Sequence, residues 1–176
     1  MKRQSSVGVY YFLTFLAVVI SVTTFGQTAK EYLELGITKH NNKDFEGAIK
    51  EYSKAIKVDN NYTDAYFNKG TCELALKDFK SAKRDFDKAI EINDTLSQAF
   101  YFRGIAKGES NDNIGAIQDF NKLIEKNQKT ASLYFFRGNC KYKLSDFIGA
   151  IQDYNMLIKI SPKSPEGYYN LALAKY

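Results

Sequence analysis

Hydrophobic positions follow two regimes along this chain. Over residues 7–20 they run almost without interruption, whereas beyond Ala29 they return every three or four residues among charged and polar ones. The second regime predicts amphipathic helices, because side chains three and four apart share one helical face. Within 63–96, Tyr66, Gly70 and Leu74 line one such face, and Phe79, Ala82, Phe86, Ala89 and Ile90 line a second. The polar residues between the two sets predict a tight turn, so the stretch is a pair of helices rather than one long helix.

The pair recurs. Gly36, Gly70, Gly104 and Gly138 lie 34 residues apart, with Ala172 next in the series. Ala48, Ala82, Ala116 and Ala150 keep that interval, as do Asp44, Asp78, Asp112 and Asp146 and the ring series Tyr52, Phe86, Phe120 and Tyr154. Self-similarity of this kind marks stacked helix pairs, each burying its apolar face against its neighbours. The small residues let paired helices approach to about 8–10 Å, with Gly70 expected opposite Ala82 and with Tyr66 and Phe86 filling the wider ends. Asp78 and its equivalents are expected to cap the second helices, since a carboxylate there accepts free N–H groups of the first turn. Thr63, Ser97, Thr130 and Ser164 are expected to cap the first helices, and Pro165 suits a first helical position. Lys69, Arg103 and Arg137 precede the glycines, and Asp85, Asp119 and Asp153 precede the second-helix rings. An ion pair is expected inside each of these three repeats, forked where arginine supplies it. Repeat one has Leu35 and Glu51 in those places.

Repeat length, small residues and aromatics together closely resemble the tetratricopeptide repeat family, over Ala29 to Tyr176. The resemblance implies an all-α fold: a right-handed α-solenoid of stacked helix-turn-helix repeats at 29–62, 63–96, 97–130 and 131–164, then a capping helix or truncated fifth repeat over 165–176. The chain departs from the family pattern in places. Only Pro162 keeps the proline that usually follows the second helix, where Asn60, Asp94 and Gln128 stand in the other repeats. Lys43, Lys77, Asn111 and Ser145 replace the usual turn glycine. Asn113 replaces the ring found at Phe45, Phe79 and Phe147, and Gly108 interrupts a first helix at a cost of about 1 kcal/mol relative to alanine, so repeat three is expected to be the loosest.

In this family the first helices line a concave face that commonly receives an extended peptide or a partner helix. Carried over position by position, the lining comprises Phe67, Thr71, Tyr101, Ile105, Phe135, Asn139, Tyr142 and Tyr169, with Asn68, Phe102 and Phe136 alongside. Aromatics with a few polar groups are the composition of interaction hot spots. The alternative for Phe67, Tyr101, Phe135 and Tyr169 is that they pack between neighbouring first helices. Family members that hold the acidic C-termini of chaperones clamp them with Lys, Asn and Arg at set groove positions. Here those positions hold Leu33, Ile37, Asn68, Gln98 and Phe102 or, one repeat on, Phe67, Thr71, Phe102, Ser132 and Phe136, of which Asn68 alone fits. The resemblance therefore implies a non-catalytic protein–protein interaction module, an adaptor or scaffold with an apolar, aromatic groove.

The uninterrupted apolar run has a separate meaning. Lys2 and Arg3 precede it, no further charge appears before Lys30, and Thr24 and Gly26 place small residues ahead of a cleavage point at Gln27. That order predicts an export signal of bacterial style over 1–26, which would put the repeats in a periplasm or outside the cell. Val7 to Phe25 is also close to the ~20 residues that span a bilayer, so an uncleaved anchor in the inner membrane is the alternative. No cysteine follows the run, which argues against a lipoprotein anchor.

Charge and reactive residues narrow the chemistry further. The 25 Lys and Arg against 20 Asp and Glu leave +5, too mild and too mixed for a nucleic-acid footprint. Tyr101-Phe102-Arg103 and Phe135-Phe136-Arg137 interleave rings with bases, which keeps glycan or nucleic-acid binding as an alternative. Leu171, Leu173 and Tyr176 on the last helix keep self-assembly as another, with the oligomeric state open. One histidine and two cysteines leave little for metal or disulfide chemistry. Cys72 and Cys140 fill one slot two repeats apart, too far for a disulfide, whose Cα atoms lie within about 7 Å, and they read as small buried hydrophobes. His40 reads as a solvated turn residue with no second His or Cys beside it. Nucleophile–base pairs, phosphate loops and metal-ligand spacings are missing, so no catalytic, cofactor-binding or metal-binding residue is expected.

Overall fold

A computed structural model describes residues 28–176. The expected export signal at 1–26 lies outside the described residues. Among the described residues there are nine helices and no strand: α1 over 28–41, α2 (Phe45–Val58), α3 (Thr63–Ala75), α4 (Phe79–Ile92), α5 (Ser97–Glu109), α6 (Asn113–Glu125), α7 (Ala131–Lys143), α8 (Phe147–Ile160) and α9 (Pro165–Lys175). None of them is long and apolar enough to cross a membrane.

From α2 to α9 each helix packs on the next, and alternate helices meet on one side only: α3 with α5, α5 with α7, and α7 with α9. No matching contact joins α4 to α6 or α6 to α8. First helices are thus crowded on an inner radius and second helices spread on an outer one. That difference curves the all-α solenoid and makes the first-helix side concave.

Local chemistry sets the turns. Lys43, Lys77, Asn111 and Ser145 adopt φ of 61–69°, the left-handed conformation for which the family usually supplies glycine. The next residue, Asp44 in the first repeat, sends its N–H back to the Lys39 carbonyl at 2.9 Å while Lys43 N–H bonds His40, the crossed pair that closes a helix C-terminus. Each aspartate then starts the following helix. Asp44, Asp78, Asp112 and Asp146 stand at the N-cap, and Oδ1 accepts from the N–H three residues on at 2.9–3.1 Å. Bonds from Ser81 hold the Asp78 carboxyl below its ordinary range.

Two of the first helices, α3 and α5, depart from expectation by one residue, and α7 and α9 follow it. All four begin in register at Thr63, Ser97, Ala131 and Pro165, so the N-cap falls on Tyr62, Leu96, Thr130 and Ser164. Thr130 and Ser164 cap, accepting from Leu133 and Gly167 N–H at 3.4 and 3.3 Å. Tyr62 and Leu96 offer no capping side chain, and Thr63 and Ser97 lie inside the helix, where they cannot cap. The Ser97 hydroxyl instead accepts from Gln128 Nε2 at 2.8 Å.

Packing within the repeat is displaced by one turn from the expected pairing. The glycine column faces the rings rather than the alanines: a Cβ on Gly70, Gly104 or Gly138 would lie 2.7–2.9 Å from the ring of Phe86, Phe120 or Tyr154, and Gly36 meets Tyr52 likewise. The ring therefore lies on bare backbone, which is why the position excludes larger residues. Tyr52, Phe86, Phe120, Tyr154 and the alanine column Ala48, Ala82, Ala116 and Ala150 are sealed from solvent. In repeat three Gly108 receives the Cys140 sulfur of the next repeat, 3.0 Å from where a Cβ would stand. Asn113, in the place of a ring, is buried; its Nδ2 donates to Asn111 Oδ1 at 3.2 Å, and its own Oδ1 has no partner.

Candidate functional site

The inner faces of α3, α5, α7 and α9 carry the eleven groove residues expected from the sequence, and the structure sorts them by role. Phe67 meets Phe102 at 5.9 Å between ring centroids, and Phe102 stacks on Phe86 of the preceding repeat at 6.1 Å and 20°. One repeat on, Tyr101 stands edge-on to Phe136 at 6.0 Å, and Phe136 stacks on Phe120 at 6.3 Å and 21°. Phe102 and Phe136 thus join repeats to one another, each such pair worth about 0.5–1.5 kcal/mol beyond its burial. Asn68 and Asn170 take the equivalent positions in α3 and α9.

A concavity of about 380 Å³ gathers Ile105, Phe135, Phe136, Asn139 and Tyr142 with Gly104, Gly108 and Glu109. Asn139 Oδ1 accepts from the Tyr154 hydroxyl at 2.9 Å, and burial pushes that phenol up to about 12. Tyr142 leans edge-on against Phe147 of α8 at 5.4 Å. The remaining expected residues lie outside this hollow. Asn68 Nδ2 donates to the Asp64 carbonyl at 2.8 Å and the Thr71 hydroxyl to that of Asn68 at 2.7 Å, so both are turned onto their own helix. Tyr101 lines a second hollow of about 330 Å³ with Leu123 and Leu133, and Tyr169 stands 66% exposed on α9.

Ionic clusters fasten each first helix to its second. Arg103 bonds Asp119 through Nε and Nη2 at 2.9 and 2.6 Å, Arg137 bonds Asp153 likewise at 2.9 and 2.5 Å, and Lys69 bonds Asp85, as the sequence predicts. Three further features emerge from the structure. The third arm of each guanidinium reaches the preceding repeat, to Asp87 at 2.7 Å from Arg103 and to Asn121 at 2.6 Å from Arg137. Repeat one is paired as well, with Lys39 and Lys54 each 2.8 Å from Glu51 and holding its carboxyl below the ordinary range. Lys107 and Lys141 add a second cation to Asp119 and Asp153 at 2.9 Å, but in repeat two that position is Glu73. Glu73 shares Lys69 with Asp85, and its Oε2 is buried without a partner. Burial, and then Asp85, pushes the Glu73 carboxyl up to about 7.

His40 is not the solvated turn residue expected. Its Nδ1 lies 3.6 Å from Cys72 Sγ and its ring stands edge-on to Phe45 at 5.5 Å, because the end of α1 rests on the next repeat. Cys72 and Cys140 are free and buried, and burial pushes their thiols up to about 12 and about 11, well away from a reactive thiolate. Among the described residues no group of three His, Cys, Asp or Glu side chains could hold a metal ion.

The geometry has counterparts among known proteins. The family profile described as TPR repeat matches residues 32–71 and 138–176, and that described as Tetratricopeptide repeat matches 63–96, together more than half of the chain. No curated protein matches. The crystal structure of MamA protein superposes with a TM-score of 0.81 at 26% identity, covering 85% of this chain and 81% of that one. MamA from Desulfovibrio magneticus RS-1 gives 0.81 at 16% identity over 84% of each chain. YrrB, a TPR protein with an unusual peptide-binding site, gives 0.75 at 20% identity over 85% and 81%. The last two attest the fold alone. Helix pairs of constant period, a glycine laid on a ring in every full repeat, and these matches agree: the chain belongs to the tetratricopeptide repeat family.

Proposed function

We propose that the chain is a non-catalytic protein–protein interaction module, exported to serve as adaptor or scaffold in a bacterial cell envelope, with an extended peptide or helix of its partner lying along the inner face of α3, α5, α7 and α9. The observation that carries this reading is the recurrence of an incompletely buried ring at Phe67, Tyr101, Phe135 and Tyr169, one on each of α3, α5, α7 and α9, beside the stacked rings that join the repeats. Such rings offer large contact area while only two torsions need ordering. The likeness to YrrB, itself a TPR protein with an unusual peptide-binding site, supports it. Two cations, an apolar run and small residues ahead of Gln27 support export, with an uncleaved anchor over 7–25 as the alternative. The glycan or nucleic-acid reading loses its bases, since Arg103 and Arg137 are bound to Asp119 and Asp153.

Photoreactive residues placed at Phe67 and at Tyr169 in cells should capture a protein partner, and one at Lys88 on the outer side of α4 should not. Capture from Lys88 alone would remove the groove reading. Mass spectrometry of the mature protein should find Gln27 at the N-terminus; an intact Met1 in a membrane fraction would replace export with anchoring.

A further inference from the structure

One motif of the chain lies outside the inner face. Of all its asparagines, only Asn61 and Asn93 have threonine or serine two residues on, the Asn-x-Thr acceptor of N-linked glycosylation, with no proline between. Each also has an acid two residues ahead, Asp59 and Glu91. The structure separates the two. Thr63 is the first residue of α3 and half-buried, and the N–H of Asn61 is turned to Asp59 Oδ1 at 3.0 Å. Asn93 instead follows the last residue of α4 in extended conformation, at φ −137° and ψ 94°. Asn93, Asp94 and Thr95 are all exposed.

The Asn93 side chain is set up as an acceptor. Its Oδ1 receives the Thr95 N–H at 3.1 Å and the Thr95 hydroxyl at 2.6 Å. Both of these groups donate, so the atom they hold is the oxygen, and Nδ2 is left without a partner among the described residues. An amide nitrogen is a weak nucleophile because its lone pair is shared with the carbonyl. Two donors on the oxygen draw charge there and make an Nδ2 proton easier to remove. Glu91, exposed at the end of α4 with Lys88 Nζ at 2.7 Å, offers a transferase a charge to hold. Asn93 lines neither hollow described above, so a group attached to it leaves the inner face open. We infer that Asn93 is an N-glycosylation site, modified on the exported side of the membrane, and that Asn61 is not. This rests on the export reading above. The donor is a sugar carried on a lipid diphosphate, and the catalyst is a membrane oligosaccharyltransferase. Nδ2 attacks the sugar C1, the C1–O bond to the diphosphate breaks, the lipid diphosphate leaves with the bonding pair, and a base of the transferase takes one amide proton.

The full chain, purified from its own cells and mapped by mass spectrometry with electron-transfer fragmentation, should carry a glycan on Asn93 and none on Asn61. Asn93→Gln and Thr95→Val should abolish the modification, and Thr95→Ser should keep it. Glu91→Gln removes one charged contact to the transferase and should lower occupancy about tenfold. All four substitutions fall on exposed side chains, and circular dichroism of each variant should match the parent. The inference is overturned by a glycan on Thr95 instead, by equal modification of Asn61, or by modification that survives Thr95→Val. It is overturned alone by a bare Asn93 on chains that begin at Gln27 or are anchored in the membrane. A bare Asn93 on chains retained in the cytosol overturns it together with the export reading.

Discussion

Repeats two and four bury the same kind of ionic cluster between their helices and balance it in opposite ways. In repeat four one carboxylate, Asp153, faces two cations, Arg137 by a fork and Lys141 at 2.9 Å, and Asn121 takes the remaining arm of the guanidinium. In repeat two one cation, Lys69, faces two carboxylates, Asp85 and Glu73. Side-chain exposure is low in both, 3% for Asp153 and 7% for Glu73. An excess of donors is tolerated because each nitrogen still finds an oxygen. An excess of carboxylate leaves Glu73 Oε2 bare, and the remedy open to a buried acid is to keep its proton.

The largest expected effect is at the well-balanced site. Asp153→Ala strands Arg137 and Lys141 where they have little water and should cost about 3–5 kcal/mol in urea denaturation. Asp85→Ala leaves Lys69 with Glu73 as its partner and should cost less than about 1 kcal/mol from the pair. Equal losses would erase the distinction between the repeats.

A smaller effect depends on pH. The folded chain raises the Glu73 carboxyl from 4.5 to about 7, so in that window the folded state holds a proton that the unfolded state releases. The stabilisation is complete below about pH 4.5, declines as pH rises, and is gone above about pH 7, a loss on the order of 1–3 kcal/mol. Glu73→Gln should remove this slope, as read by denaturation at a series of pH values. A wild-type stability that is flat or rising across the window would contradict the account.

The smallest effect is a control at a place where the repeats agree. Asp78→Ala and Asp146→Ala each delete one N-cap bond and should each cost about 1 kcal/mol, equal within about 0.5 kcal/mol. A large inequality would mean that the repeats differ in more than their ionic clusters.

Much of this architecture is legible in columns of residue type. The helix pairs, the four aspartate caps and the three ion pairs each rest on one kind of residue recurring at one interval, so identity alone carries them. The errors are offsets. Thr63 and Ser97 sit one residue inside their helices, and Gly70 faces Phe86 rather than Ala82, because periodicity defines a face but not how far one helix slides along its partner. Contacts between repeats are harder still. The reach of Arg103 to Asp87 and the touch of His40 on Cys72 depend on the spacing of the stack. Glu73 could have been noticed as an acid in a column of Lys39, Lys107 and Lys141, though its burial could not. In the candidate site, family likeness points to the face, but the hollow beside Ile105, Phe135 and Tyr142 depends on how two repeats meet. From sequence Gly108 reads as a weakness in a helix and not as the seat of the Cys140 sulfur.

The stacked rings have a mechanical corollary. Phe102 on Phe86 and Phe136 on Phe120 glue the joints between repeats two and three and between three and four, while no such stack spans the joints at Asn68 and Asn170 among the described residues. In a linear array stability is a sum over units and the joints between them, so opening starts where joints are weakest. The two central joints each have a ring pair to part before they open, whereas the outer joints close on clusters that hold Ala65 and Cys72 at one end and Leu157 and Ala174 at the other.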